Sequence, residues 1–175
     1  MHISVQAETF KLAKVFTISR GSRTEAEVLT VRVERDGKVG WGECVPYARY
    51  GETLLSVMAQ IEALGPVGRS DLGEALPAGA ARNAVDCALW DLDAKIAGER
   101  VSDMIGLGTL LPEITAYTLS LDTPVAMEEQ AALNSFRPLL KIKLGTPDDM
   151  PRLEAVGRLC RSSRIPRRMR GNTGA

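Results

Sequence analysis

The chain has 175 residues, 45% hydrophobic and 25% charged, with 22 Lys/Arg balanced by 22 Asp/Glu. That length and composition belong to a water-soluble globular protein with a core of ordinary size, and they exclude a disordered or collagen-like chain. The zero net charge averages two unlike parts: six arginines and no acidic residue fall between Arg158 and Ala175, and everything before them is acidic on balance.

Cys44, Cys87 and Cys160 are odd in number and share no metal-ligand spacing. With an N-terminal stretch that alternates and has no apolar h-region, they point to a reducing cytosol and away from export. No apolar run approaches a membrane span. A basic tail can signal nucleic-acid binding, but this one lacks aromatics and any recognisable module, so a nucleic-acid partner is not expected.

In chain order, residues 2–10 alternate as a strand, and residues 27–34 form a clearer one, with Leu29, Val31 and Val33 on one face. Asp36-Gly37 is a hairpin turn, and Val39 to Cys44 returns beside the second strand. An antiparallel meander of three strands results. Thr17 to Thr24 reads as a polar loop, too long for a minimal turn, with Arg20 and Arg23 available to a ligand.

Glu52 to Leu64 reads as a helix. Pro77 opens a longer, alanine-rich one that stops at Gly98, with Val85, Ala88, Leu89, Leu92 and Ile96 as its apolar stripe. Asp86, Asp91 and Asp93 on this helix are expected to be solvated or capping. The period then changes. Ile114 to Leu119 and Leu139 to Leu144 read as strands, and helices follow from Thr123-Pro124 to Asn134 and from Pro147 to Cys160. Strand and helix alternating at this spacing make two β/α units with parallel strands. Two such units close no barrel, and their exposed strand edges leave room for a homo-oligomer.

Lys141 and Lys143, two apart on the last strand, share a face, with Ile142 on the other. In a β/α barrel that face looks inward, toward the mouth where such folds place chemistry. Two ammonium groups at close range disfavour each other's protonation, which suits a general base for a carbon acid. The plain alternative is two lysines capping a strand end in solvent, and spacing alone does not separate the two.

Five segments in order carry a resemblance: Thr17–Val31, the GWGECVPYARYGET block at Gly40–Thr53, the alanine-rich helix Ala81–Lys95, TAYTLSLDTP at Thr115–Pro124, and LLKIKLG at Leu139–Gly145. Together they resemble the N-terminal half of the dipeptide epimerases, the L-Ala-D/L-Glu epimerase type, in the muconate lactonising subgroup of the enolase superfamily. The resemblance implies an α+β capping domain over residues 1–112, then the first two β/α units of a TIM-type (β/α)7β barrel over 113–160. Residues 161–175 are left as a basic, aberrant tail expected to be disordered.

The resemblance further implies an isomerase acting on a small dipeptide. Lys143 would be an acid/base and Lys141 its neighbour, helping to neutralise the substrate carboxylate. Arg20 or Arg23 would meet a distal carboxylate, Tyr50 would line the capping loop, and Thr118 would sit near the first strand's mouth. Magnesium belongs to the intact family enzyme, held by three carboxylates on the third to fifth barrel strands. None of these carboxylates is present here. Where an I-x-V-D-A-N strand is expected, the chain reads Arg164-Ile165-Pro166-Arg167-Arg168-Met169-Arg170, a composition that a shifted frame in a GC-rich gene produces. The chain alone is therefore expected to be inactive and to bind no metal specifically. The competing readings are an o-succinylbenzoate synthase or muconate cycloisomerase, and a non-catalytic capping-domain fragment.

Overall fold

The computed structural model describes residues 1–147 and 149–162, the last four by backbone alone. Three antiparallel strands come first: β1 (His2–Ile18), β2 (Gly21–Arg35) and β3 (Lys38–Cys44), in the order β1-β2-β3. The β2–β3 turn places Asp36 at φ 52° and Gly37 at φ 72°, the left-handed pair that a two-residue hairpin of this twist requires. Register then pairs Leu29 with Cys44, Val31 with Gly42 and Val33 with Gly40. Helices follow: α1 (Leu54–Glu62), the single turn α2 (Leu72–Ala75), α3 (Ala80–Ala97) and α4 (Val101–Met104).

The chain divides into two compact units. The first contains Met1–Lys11 and Glu25–Leu111; the second contains Leu12–Thr24 and Pro112 onward. The tip of the first hairpin is grouped with the later strands, which a continuous first domain did not anticipate.

In the first unit α3 packs on the sheet. Leu29, Val31, Val33 and Cys44 face Ala81, Ala84, Val85, Ala88, Leu89 and Leu92, and Val57 and Ile61 of α1 complete the core. Each fully buried Leu, Ile or Val contributes about 1.5–3 kcal/mol. Ile96 is 40% exposed and does not belong to the stripe; Ala81 and Ala84 do. The approach is close because β3 has no side chain at Gly40 and Gly42. A Cβ on either would come within 2.0 Å of the carbonyl oxygen of Ala88 or Ala84 respectively.

Asp91 and Asp93 are neither simply solvated nor capping. β3 is an edge strand whose outward backbone groups need partners. Asp91 accepts from the Trp41 N–H at 2.8 Å, and Lys95 donates to the Val39 carbonyl at 2.9 Å while pairing with Asp91 at 2.6 Å. Asp93 accepts from Arg35 at 2.6 Å and Arg69 at 2.9 Å, and the Arg69 guanidinium lies 3.5 Å from the centroid of the Trp90 ring.

The second unit contains β4 (Tyr117–Leu119), α5 (Pro124–Leu133), β5 (Leu140–Ile142) and α6 (Asp149–Ser162). β4 and β5 are parallel, pairing Tyr117 with Leu140, Thr118 with Lys141 and Leu119 with Ile142. Thr123 caps α5 by accepting from the Ala126 N–H, with Pro124 opening the helix. Both helices pack on one face of the strand pair, around Leu119, Met127, Ala131 and Val156. α6 runs through Ser162, past the expected start of the tail at 161; residues 163–175 lie outside the described residues, and so does the expectation about their order. No helix among the described residues is long and apolar enough to cross a membrane.

Candidate active site

Alternation along β5 sends Leu140 and Ile142 toward the helices and leaves Lys141 exposed on the opposite face. Thr118, its register partner on β4, shares that face. The strand stops at Ile142, two residues short of the expected limit at Leu144, so Lys143 lies just past its end and not on it. Its N–H donates to the Leu119 carbonyl at 3.2 Å, so it continues the β5 line, and its side chain is half-buried. The structure thus brings Thr118, Lys141 and Lys143 to the helix-free face and C-terminal end of one parallel pair.

The segment expected to be a polar loop is a tight hairpin. β1 continues to Ile18, Ser19-Arg20 makes the turn, and Arg23 is already on β2. What holds this tip lies a hundred residues away in sequence. The Ser120 hydroxyl accepts from the Thr17 N–H at 2.7 Å, and the Leu121 N–H donates to the Thr17 carbonyl at 3.0 Å. Thr17 and Ser22 hydroxyls bond across the turn at 2.9 Å. The Lys143 ammonium lies 6.0 Å from the centroid of the Phe16 ring. Ser19 rests against Gly145, where a Cβ would meet the Ser19 Cβ at 2.7 Å; Gly145 also has φ 134°, which a side chain would strain.

Arg20 and Arg23 are both exposed. Tyr50 stands in the first unit, 74% exposed, on the turn Ala48–Tyr50 that ends in the left-handed Gly51. Glu52 fixes that turn: its carboxylate accepts from the Tyr47 N–H at 3.0 Å and from the Ala80 N–H at 2.7 Å, at the N-terminus of α3. Cys44, in the same GWGECVPYARYGET block, is a packing residue. Burial first, then the nearby Glu52 and Glu43, push its thiol up to about 11, so it stays neutral.

Phe16, Ser120 and Gly145 were missed by sequence reasoning. The alternation in Tyr117-Thr118-Leu119-Ser120-Leu121 could have flagged Ser120, since it extends the Thr118 face. Among the described residues no group of three His, Cys, Asp or Glu could hold a metal ion.

An antiparallel sheet backed by an alanine-faced helix, followed by parallel β/α units with lysines at a strand end, defines the class: a capping domain joined to the start of a β/α barrel. The chain belongs to the mandelate racemase / muconate lactonizing enzyme family, whose N-terminal domain matches residues 1–106. It is 46% identical to the L-Ala-D/L-Glu epimerase of Escherichia coli K12 over 81% of this chain and 46% of that one. It is 44% identical to an N-acetyl-D-glutamate racemase of Pseudoalteromonas over 67% of this chain and 39% of the relative.

A solved enolase-family structure from Agrobacterium tumefaciens, described as homologous to dipeptide epimerases and holding sodium and L-Ala-L-Glu, superposes with a TM-score of 0.87. Its identity is 46%, with 91% of this chain and 50% of that one covered. The dipeptide epimerase of Enterococcus faecalis, complexed with magnesium and L-Leu-L-Tyr, gives 0.78 at 28% identity, covering 90% and 49%. The chain spans about half the length, or less, of these relatives.

Proposed function

We propose that this sequence forms the capping domain and first barrel strands of an epimerase acting on the α-carbon of an acidic dipeptide, of the L-Ala-D/L-Glu kind. The observation that carries the reading is the meeting, within one unit, of the segment just past β5, Lys143 to Gly145, with the hairpin tip that bears Arg20 and Arg23. The relatives support an acidic substrate. Those at 46% and 44% identity are named for glutamate-containing substrates, whereas the hydrophobic dipeptide epimerases are at 30–31%, where a further L-Ala-D/L-Glu epimerase also falls.

In this reading the Lys143 amine takes the α-proton. The C–H bond breaks and its electron pair moves toward the adjacent carboxylate, giving an enediolate. The Lys141 ammonium opposes the charge that builds there. Arg20 or Arg23 holds the distal carboxylate, and Thr118 borders the strand end. Return of the proton to the other face needs a second group, which the described residues do not offer from β4 or β5. They also gather no set of carboxylates that fits the magnesium held by the Enterococcus faecalis relative.

The test is a chimera in which residues 1–158 are joined to the remaining barrel of the Escherichia coli relative. With L-Ala-D-Glu and magnesium in deuterated water, NMR should record α-deuterium incorporation. Lys143→Ala should lower exchange by about 10²–10⁴-fold, and Lys141→Ala should slow it less. Arg20→Gln or Arg23→Gln should cost acidic dipeptides about 10–100-fold while sparing apolar ones, since a charge-assisted hydrogen bond acts only where a carboxylate is present. Equal losses on both substrate classes for both variants would defeat the glutamate assignment.

A further inference from the structure

The turn after β5, Leu144–Pro147, is held by side chains of α6. Asp149 accepts from the Gly145 N–H at 2.7 Å and the Thr146 N–H at 3.2 Å through different oxygens. Burial opposes its ionisation, but these N–H donors, the Thr146 hydroxyl and Arg152 outweigh it and hold the carboxyl below its usual range. Arg152, three residues on, is only 14% exposed. Its Nε donates to the Asp122 carbonyl at 2.6 Å and its Nη1 to the Thr146 hydroxyl. One guanidinium therefore ties the turn after β4 to the turn after β5. The hairpin tip closes the triangle: Ser120 and Leu121 hold Thr17, and Ser19 sits on Gly145.

We propose that Arg152 is a positioning residue for Lys143: by locking Asp122 to Thr146 it fixes the backbone from which Lys143 leaves β5 and the seat of the hairpin tip beside it. This rests on Lys143 being the proton-transfer group. The geometry needs an arginine. Nε and Nη1 donate from one rigid fork to acceptors on two segments, which a single ammonium cannot reproduce. Arg158 on the same helix is a contrast. It pairs with Glu128 at 2.7 Å, links helix to helix, and is 61% exposed.

The test needs no substrate, so it stands whether or not the epimerase reading does. Lysines of the 175-residue chain are ¹³C-dimethylated, and the Lys143 signal is assigned with Lys143→Arg. At 6.0 Å from the Phe16 centroid, that signal should carry a ring-current shift and a nuclear Overhauser effect to Phe16. Arg152→Met and Arg152→Lys should each collapse the shift toward that of solvent-exposed lysines and weaken the Overhauser effect at least threefold. The Met127 methyl signal, from the core of the same unit, should stay dispersed. Arg158→Met should change neither. Retention of the Lys143 shift in both Arg152 variants would overturn the proposal. So would equal loss in Arg158→Met, or collapse of Met127 in both Arg152 variants, which would make Arg152 a general stabiliser of the unit.

Discussion

At Asp93 one carboxylate gathers two arginines, Arg35 from β2 and Arg69 from the segment before α2, with 24% of its side chain exposed. Burial raises its pKa, but the hydrogen bonds from Arg69 and Arg35 more than reverse that, so the folded value lies below the ordinary 3.8. A depressed carboxyl contributes stability above the unfolded pKa and loses it as pH falls through the folded one. Asp93→Asn should therefore cost about 1–2 kcal/mol at pH 7, and the gap between variant and wild type should narrow below about pH 4. Urea unfolding at pH 7 and pH 3 checks this; a gap that is unchanged or wider at pH 3 would refute it. Sequence patterning could not reveal this role. It marks Asp91 and Asp93 as charges on a helix, while their partners, an edge-strand amide and two distant arginines, exist only once α3 lies on the sheet.

Between elements, α3 and β3 meet through small residues. Ala84 and Ala88 on the helix face Gly42 and Gly40 on the strand, and the carbonyl contacts leave no room for a methyl group. Gly42→Ala should destabilise the first unit by about 1–3 kcal/mol or more, because backbone rather than a flexible side-chain end must move. Thermal unfolding should register this as a clear fall in Tm, while Gly65→Ala, which has open space around it, should change Tm far less. The alanine-rich face of α3 was readable as a site of close approach, and the Asp36-Gly37 turn was readable from its dipeptide. The second half of the first hairpin was not. Thr17, Ser19, Ser22 and Thr24 show no apolar alternation, and the groups that extend the strand come from Ser120 and Leu121. The start of α3 slipped from Pro77 to Ala80 for a similar reason, since its first N–H is taken by Glu52 from another segment.

For the molecule as a whole, the proposed reaction has Lys141 on β5 and Lys143 just past its end, both reaching a substrate carbon from the same side. Inverting that carbon needs a proton donor on the opposite side and a stabilised enediolate. We therefore expect the 175-residue polypeptide, given L-Ala-L-Glu and magnesium in deuterated water, to incorporate no α-deuterium above a Lys143→Ala control. NMR decides this, and clear Lys143-dependent exchange would show that the polypeptide suffices for proton abstraction. The two β/α units were legible because alternation and spacing are local. The grouping of residues 12–24 with the later strands was not, because it depends on contacts that span the chain.

The hydrogen bond from Thr17 to Ser120 joins residues 103 positions apart. On a ribosome adding roughly 5–20 residues per second, the hairpin tip waits about 5–20 s for its seat to be synthesised. The second unit is therefore completed by capture of an early segment by a late one, a high-contact-order step.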